Sequence, residues 1–242
     1  MENENKDGKK KFAPIVVLVV VVLALIGSYF VFGGNKMLNL GGNSSGAGSV
    51  ATVNGVAISK AAFDTQLASS IASYKTQGVD VTASSTLAQI KTQVLDNLIN
   101  NELLIQGATA AGIKTSDADV EKQFQTILTQ SGGAAGLKTA LAQNNLTEAQ
   151  LRENISKQLT IQTYLLANID VKSITVTNAE IAQFYADYSK AQKTASSTIA
   201  VPALKDLSAQ IKQQLTSNKE QALITSFVTT LRNQAKIETT TL

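Results

Sequence analysis

The stretch Leu87–Val120, LAQIKTQVLDNLINNELLIQGATAAGIKTSDADV, constrains the fold more than any other part of this 242-residue chain. Its apolar residues fall at Leu87, Ile90, Val94, Leu95, Leu98, Ile99, Leu103, Leu104 and Ile105. That is helical spacing, but the apolar face is broader than the single stripe a surface helix needs. The spacing predicts a central helix with neighbours on two sides, inside a mainly α-helical domain. Gly112 stands where a C′ glycine lets the chain leave a helix through a left-handed turn, and Ser116-x-x-Asp119 caps the helix that follows.

The flanking segments supply candidate neighbours. Val50–Ser59, VATVNGVAIS, predicts a β-hairpin, because Asn54-Gly55 provides the two positive-φ residues of a type I′ turn between β-formers. Ser59 is a suitable N-cap for a helix through Phe63, Leu67 and Ile71. A lone two-stranded ribbon is marginal in water, so a third strand is expected, and Ala235–Thr239 is the best candidate.

Beyond the central helix, a helix from Asp117 to about Gln130 buries Val120, Phe124, Ile127 and Leu128; Gly132-Gly133 ends it, and a short helix follows around Leu137 and Leu141. Thr147-x-x-Gln150 opens a helix with Leu151, Ile155, Leu159, Gln162 and Leu166 on one face. Asp170–Ile174 is expected to be an extended connector, and Thr177-x-x-Glu180 caps a helix containing Ile181, Phe184 and Tyr185. Residues 191–200 have no periodicity and are expected to form a loop. Pro202 suits the first turn of a last helix carrying two stripes: Leu204, Leu207, Ile211 and Leu215, then Leu223, Phe227, Val228 and Leu231. Ser217-Asn218 is a candidate bend between them. The hairpin and the returning Leu223–Leu231 segment are the neighbours assigned to the central helix.

At the other end, residues 12–32, FAPIVVLVVVVLALIGSYFVF, form an uncharged apolar run behind Lys9, Lys10 and Lys11. At about 1.5 Å per residue it is roughly 31 Å long, the thickness of a bilayer's hydrocarbon core. The expectation is a basic cytoplasmic tail (1–11), a transmembrane anchor (12–32), a Gly/Ser-rich linker (33–49) and an extracytoplasmic domain (50–242) in the periplasm or cell exterior. A cleaved signal peptide is the rival, but its apolar core is shorter, about 7–15 residues, and ends at small residues. Lys and Arg number 21 against 18 acids, and the excess is partly in the N-terminal tail, so no basic stripe points to nucleic acid.

The chain has no His, Cys or Trp. Ser-His-Asp and Cys-His catalysis, imidazole zinc sites and disulfides are excluded together. No Gly-rich phosphate loop follows a strand. Asp117 and Asp119 are an acidic pair in the first turn of a helix, where they complement the helix dipole rather than bind a metal. No cofactor, metal or catalytic residue is expected. The candidate contact surface is Phe124, Ile127, Leu128, Phe184 and Tyr185, each of which has a plain core role as its alternative.

These segments together resemble the SurA-type N-terminal domain of exported foldases of the SurA, PpiD and PrsA type. The resemblance opens on VATVNGVAIS and Phe63, continues through Val94-Leu-Asp-x-Leu-Ile-x-x-x-Leu-Leu104, Gln106, Ala108, Gly112-Ile113 and Ser116-Asp-x-x-Val120, and takes in residues 175–185. It closes on Leu207–Glu238, ending Leu231-Arg-x-x-Ala-Lys-Ile-Glu238. The resemblance implies a helical chaperone lobe, completed by a returning helix and strand, that binds unfolded or nascent exported polypeptides, with the secretion translocon as a neighbouring partner. Relatives that are peptidyl-prolyl isomerases carry a parvulin domain after the helix at Thr177; here only residues 191–200 stand in that place. The expected function is a membrane-anchored holdase without catalysis. The alternatives are a tethered scaffold for one folded partner, or a member of the isomerase family with residual activity.

Overall fold

A computed structural model describes residues 48–143, 146–195 and 201–240. The described chain divides into two compact units, one built from residues 48–170 with 222–240, the other from Val171–Gln221.

The larger unit opens with the hairpin. Strands β1 (Ser49–Val53) and β2 (Val56–Ser59) pair antiparallel around Asn54 and Gly55, whose φ values are +52° and +85°. The register shifts between Ser49 and Ala51, and this bulge lets consecutive residues Val50 and Ala51 both turn inward. The third strand is β3 (Ile237–Thr239), which pairs with β1 from the far end of the chain and gives the sheet order β2-β1-β3.

Helix α1 (Lys60–Thr76) starts on Ser59, whose hydroxyl accepts from the Ala62 amide at 3.1 Å, and buries Phe63. The loop after it is pinned by Val81, which is buried, and by Asp80, whose carboxylate accepts from the Thr82 amide and hydroxyl. Central helix α2 (Ser84–Ala110) buries Ile90, Val94, Leu95, Leu98, Ile99, Leu103 and Leu104; Leu87 and Ile105 are half-buried. Its chief helical neighbours are α1 and, on the other side, α5 (Glu148–Asn168), with β1 alongside. The expected returning segment contributes less: Leu231, Ala235 and Ile237 close the edge of the core. Arg232 fastens it by donating to Asn100 Oδ1 and Asp96 Oδ1, each at 2.8 Å.

One buried polar group joins the parts of this unit. Glu102 is 6% exposed and accepts from Gln106 Nε2 at 2.7 Å; the same nitrogen donates to the Val53 carbonyl. Gln106 Oε1 in turn accepts from Asn54 Nδ2, while the Asn54 backbone amide and side-chain oxygen both bond to the Lys236 backbone. The hairpin turn, central helix and C-terminal strand are thus held by one set of hydrogen bonds. Side chains able to satisfy one another tolerate burial that a lone carboxylate would not.

Helices α3 (Asp117–Gln130), α4 (Ala134–Gln143) and α5 complete the unit. Ser116 accepts from the Asp119 amide, but Asp119 is one methylene too short for a reciprocal box and its carboxylate instead accepts a hydrogen bond from the Ser116 hydroxyl at 2.6 Å. Thr147 and Gln150 form the full box. The expected α5 face holds only in its first half: Leu151 and Ile155 are buried and Leu159 is half-buried, but Leu166 is exposed. Further on, Ile161, Tyr164 and Leu165 take over, because the first half of α5 packs on α3 and the second half on α2. Tyr164 lies against Gly107, whose missing side chain makes room for the ring, and packs on Phe227 with centroids 5.5 Å apart.

The smaller unit begins with a 3-10 turn at Val171–Ser173, where an extended connector was expected. Thr177 and Glu180 cap helix α6 (Asn178–Ala195) reciprocally. This helix runs through Ala191–Ala195, part of the expected loop, since Ala, Gln and Lys are good helix formers. Helix α7 (Leu204–Gln234) starts two residues after Pro202 and is one continuous helix through Ser217-Asn218. Beyond that point Ile224 and Val228 are buried and Leu223 is exposed, which turns the expected stripe by one residue.

The expected single-pass membrane location is corrected. No helix among the described residues is long and apolar enough to cross a membrane. Charges interrupt the two longest, at Lys91, Asp96 and Glu102 in α2 and at Lys212, Lys219, Glu220 and Arg232 in α7. The expected tail, anchor at 12–32 and most of the linker lie outside the described residues.

Candidate functional site

The amphipathic pattern of α3 determines where an apolar surface can form. Val120 and Phe124 are buried on its inner face, and Ile127 and Leu128 are half-buried one turn further on. At its end Gly132 and Gly133 adopt φ values of +81° and +86°, which β-carbon-bearing residues rarely take. The Gly133 amide returns to the Leu128 carbonyl at 2.9 Å, and the chain reverses. Helix α4 then lies against the end of α3 so closely that a β-carbon at Gly136 would run into the Ser131 carbonyl.

This reversal sets Leu137 and Leu141 opposite Phe124 and Leu128, around an open cleft of about 540 Å³. Leu146 and Glu148, at the approach to α5, close one end, and Lys138 stands on the α4 side. Phe124 is only 5% exposed and forms the floor, while Leu128, Leu141 and Leu146 are half-buried and form the walls.

A charged group also lies over the Phe124 ring. The Arg152 guanidinium lies 3.8 Å from the ring centroid, at cation–π distance. Arg152 is held there by Glu121, which accepts from Nη1 at 2.6 Å, and by Glu148, which accepts from Nε at 2.9 Å. Hydrogen bonds from Gln125 and then from Arg152 lower the Glu121 pKa, and the two carboxylates raise that of Arg152. The triad fixes the aromatic floor in one orientation.

Of the five contact residues read from sequence, the fold brings Phe124 and Leu128 into the cleft lining, and Ile127 packs on the same core. Phe184 and Tyr185 belong to the smaller unit; both are half-buried, and the Tyr185 hydroxyl donates to the Pro202 carbonyl at 2.8 Å. Sequence reasoning missed Leu137, Leu141 and Leu146 as lining residues. The Gly-Gly break was the available signal, since a reversed short helix must face the one before it. Nothing in the sequence pointed to Arg152 over Phe124, because the two lie 28 positions apart on different helices.

Among the described residues no group of three or more acids is placed to hold a metal ion. Asp117 and Asp119 stand in the first turn of α3, where Asp119 serves the cap.

The SurA-like N-terminal domain family matches residues 5–165, well over half of the chain. The chain belongs to that family. The match takes in the hairpin, the central helix and the cleft, and ends within α5; Phe184 and Tyr185 lie beyond it. Among curated proteins, the chaperone SurA of Chromobacterium violaceum is 32% identical over 123 residues, 48% of this chain and 28% of the relative. The chaperone SurA of Ralstonia nicotianae is 28% identical over 143 residues, 56% of this chain and 29% of the relative. That of Methylobacillus flagellatus is 26% identical over 136 residues, again 56% of this chain and 30% of the relative. The chain spans under a third of the length of these SurA proteins.

Proposed function

We propose that this SurA-like chain is a chaperone that holds apolar segments of unfolded polypeptides in the cleft between α3, α4 and the start of α5. The observation that carries the reading is the open, largely aliphatic cleft, which lies inside the span that matches the family. Phe124 supplies the floor, and Ile127 and Leu128 the α3 margin. Leu137 and Leu141 form the facing wall. Phe184 and Tyr185 are proposed as a separate, subsidiary contact. Residues 50–242 act as a SurA-like chaperone domain without a parvulin insert around 191–200, and binding is reversible, with no covalent step.

The size of the cleft favours a flexible segment over one folded partner. It falls in the range of pockets that enclose small ligands, roughly 300–1,000 Å³. A stable contact with a folded protein covers about 800 Å² on each side. Removing apolar side chains of a client from water drives such binding at about 25 cal/mol per Å².

The test is suppression of client aggregation by the purified chain, with Leu141→Asp as the disabling variant. Wild type should slow aggregation at near-stoichiometric ratio, and L141D should weaken binding about tenfold, the equivalent of about 1.4 kcal/mol. No suppression across several unrelated clients, or full suppression by a folded L141D, would remove this reading.

A further inference from the structure

We propose that the cleft selects apolar segments carrying a carboxylate beside the apolar side chain, and that Lys138 makes the selection. This rests on the cleft reading above. Two charged groups line the cleft, Glu148 and Lys138. Glu148 is partly committed, since its Oε1 accepts from Arg152 Nε at 2.9 Å. Glu121, the other carboxylate of the Arg152 triad, has both oxygens engaged, one by Arg152 Nη1 at 2.6 Å and one by Gln125 Nε2 at 2.7 Å.

Lys138 differs from both. It is exposed, and it has no hydrogen-bond or ion-pair partner among the described residues. Its neighbours Leu137 and Leu141 belong to the cleft wall, and its own aliphatic stem adds to that wall while the ammonium stays in water. All three donors of that ammonium are open to a ligand. A cationic client would have to share Glu148 with Arg152, whose guanidinium already holds one of its two oxygens. An anionic client, with its apolar side chain in the cleft, meets an uncommitted cation at the rim. Apolar contact then supplies the affinity and Lys138 the preference, which is the usual division between burial and rim charge.

An exposed ion pair is a modest effect, so the preference should be small and sensitive to salt. The experiment uses the full chain and two labelled peptides that share an apolar core and differ only in having Asp or Lys beside it, compared by fluorescence anisotropy. The Asp peptide should bind about two- to fivefold more tightly at low salt, and the gap should close near about 0.5 M salt. Lys138→Glu, an exposed substitution that spares the core, should reverse the order. Equal binding of the two peptides to wild type, or an order unchanged in K138E, overturns the proposal. L141D separates this from failure of the cleft itself. If L141D weakens both peptides but they never differ, only the charge rule falls; if L141D weakens neither, the site is elsewhere and both readings fall.

Discussion

Two glutamates in the smaller unit show how the same side chain can work in opposite directions. Glu180 is paired: Lys219 donates to it at 2.6 Å and the Thr177 amide at 2.8 Å, and these bonds, led by that from Lys219, lower its pKa from 4.5 to about 2. Glu220 is 1% exposed, and its Oε2 has no partner among the described residues, so burial raises its pKa. A carboxyl whose pKa falls on folding stabilises the native state above its unfolded pKa, and the gain is lost as pH drops from 4.5 to about 2. A carboxyl whose pKa rises does the reverse, costing stability as pH climbs past 4.5. Glu220→Gln should therefore raise Tm at neutral pH and Glu180→Gln should lower it. Both differences should shrink in acid, that of Glu220→Gln below pH 4.5 and that of Glu180→Gln near pH 2. Thermal melts across pH check this, and a lower Tm for E220Q at neutral pH would show that the buried carboxylate is compensated.

At the level of elements, the contact between α2 and α5 depends on one missing methyl group. A β-carbon at Gly107 would come within 2.5 Å of Tyr164 Oη and 2.7 Å of the ring carbons. Tyr164 cannot yield freely, because it is 7% exposed and packed at a tilt against Phe227. Gly107→Ala gains about 1 kcal/mol of helix propensity, but overpacking of a filled core costs about 1–3 kcal/mol. The net effect should be destabilising by up to about 2 kcal/mol in chemical denaturation; a gain in stability would mean that the ring has room to move. The same contact explains why the face of α5 was only half legible. Leu151, Ile155 and Leu159 follow a single stripe, and a single stripe suits one neighbour. A helix packed on α3 and then on α2 must turn its buried side partway along, and no periodicity announces which neighbour comes next. Capping, in contrast, is local. Ser59, Thr147 and Thr177 were readable because each cap is completed within three residues.

Across the whole molecule, the two ends of the described chain meet in one sheet. Three residue pairs join β1 to β3. At about 0.2–1 kcal/mol per cross-strand pair, the strand contributes roughly 0.6–3 kcal/mol. Further bonds run from the Asn54 amide to the Lys236 carbonyl at 2.8 Å and from the Thr240 amide to the Val50 carbonyl at 3.0 Å. Truncation before Lys236 should lower stability by about that amount and speed hydrogen exchange at the Asn54 amide, while binding in the distant stretch Phe124–Leu141 persists. Exchange unchanged at Asn54 would show that β1 does not depend on its third strand.

The sequence alone determined the helical class, the hairpin, the caps and the third strand, and its motifs led to the SurA-like family. Those properties follow from short-range rules: turn residues that tolerate positive φ, side chains that reach an amide three positions away, and apolar spacing that matches a helix. What only the tertiary structure decided was which apolar faces meet. Phe124 looked alike as core or as contact; its floor position came from Gly136 letting α4 close in and from Arg152 lying over the ring. Both depend on residues brought together by a chain reversal, and helical periodicity records that a face is apolar without recording what stands opposite it.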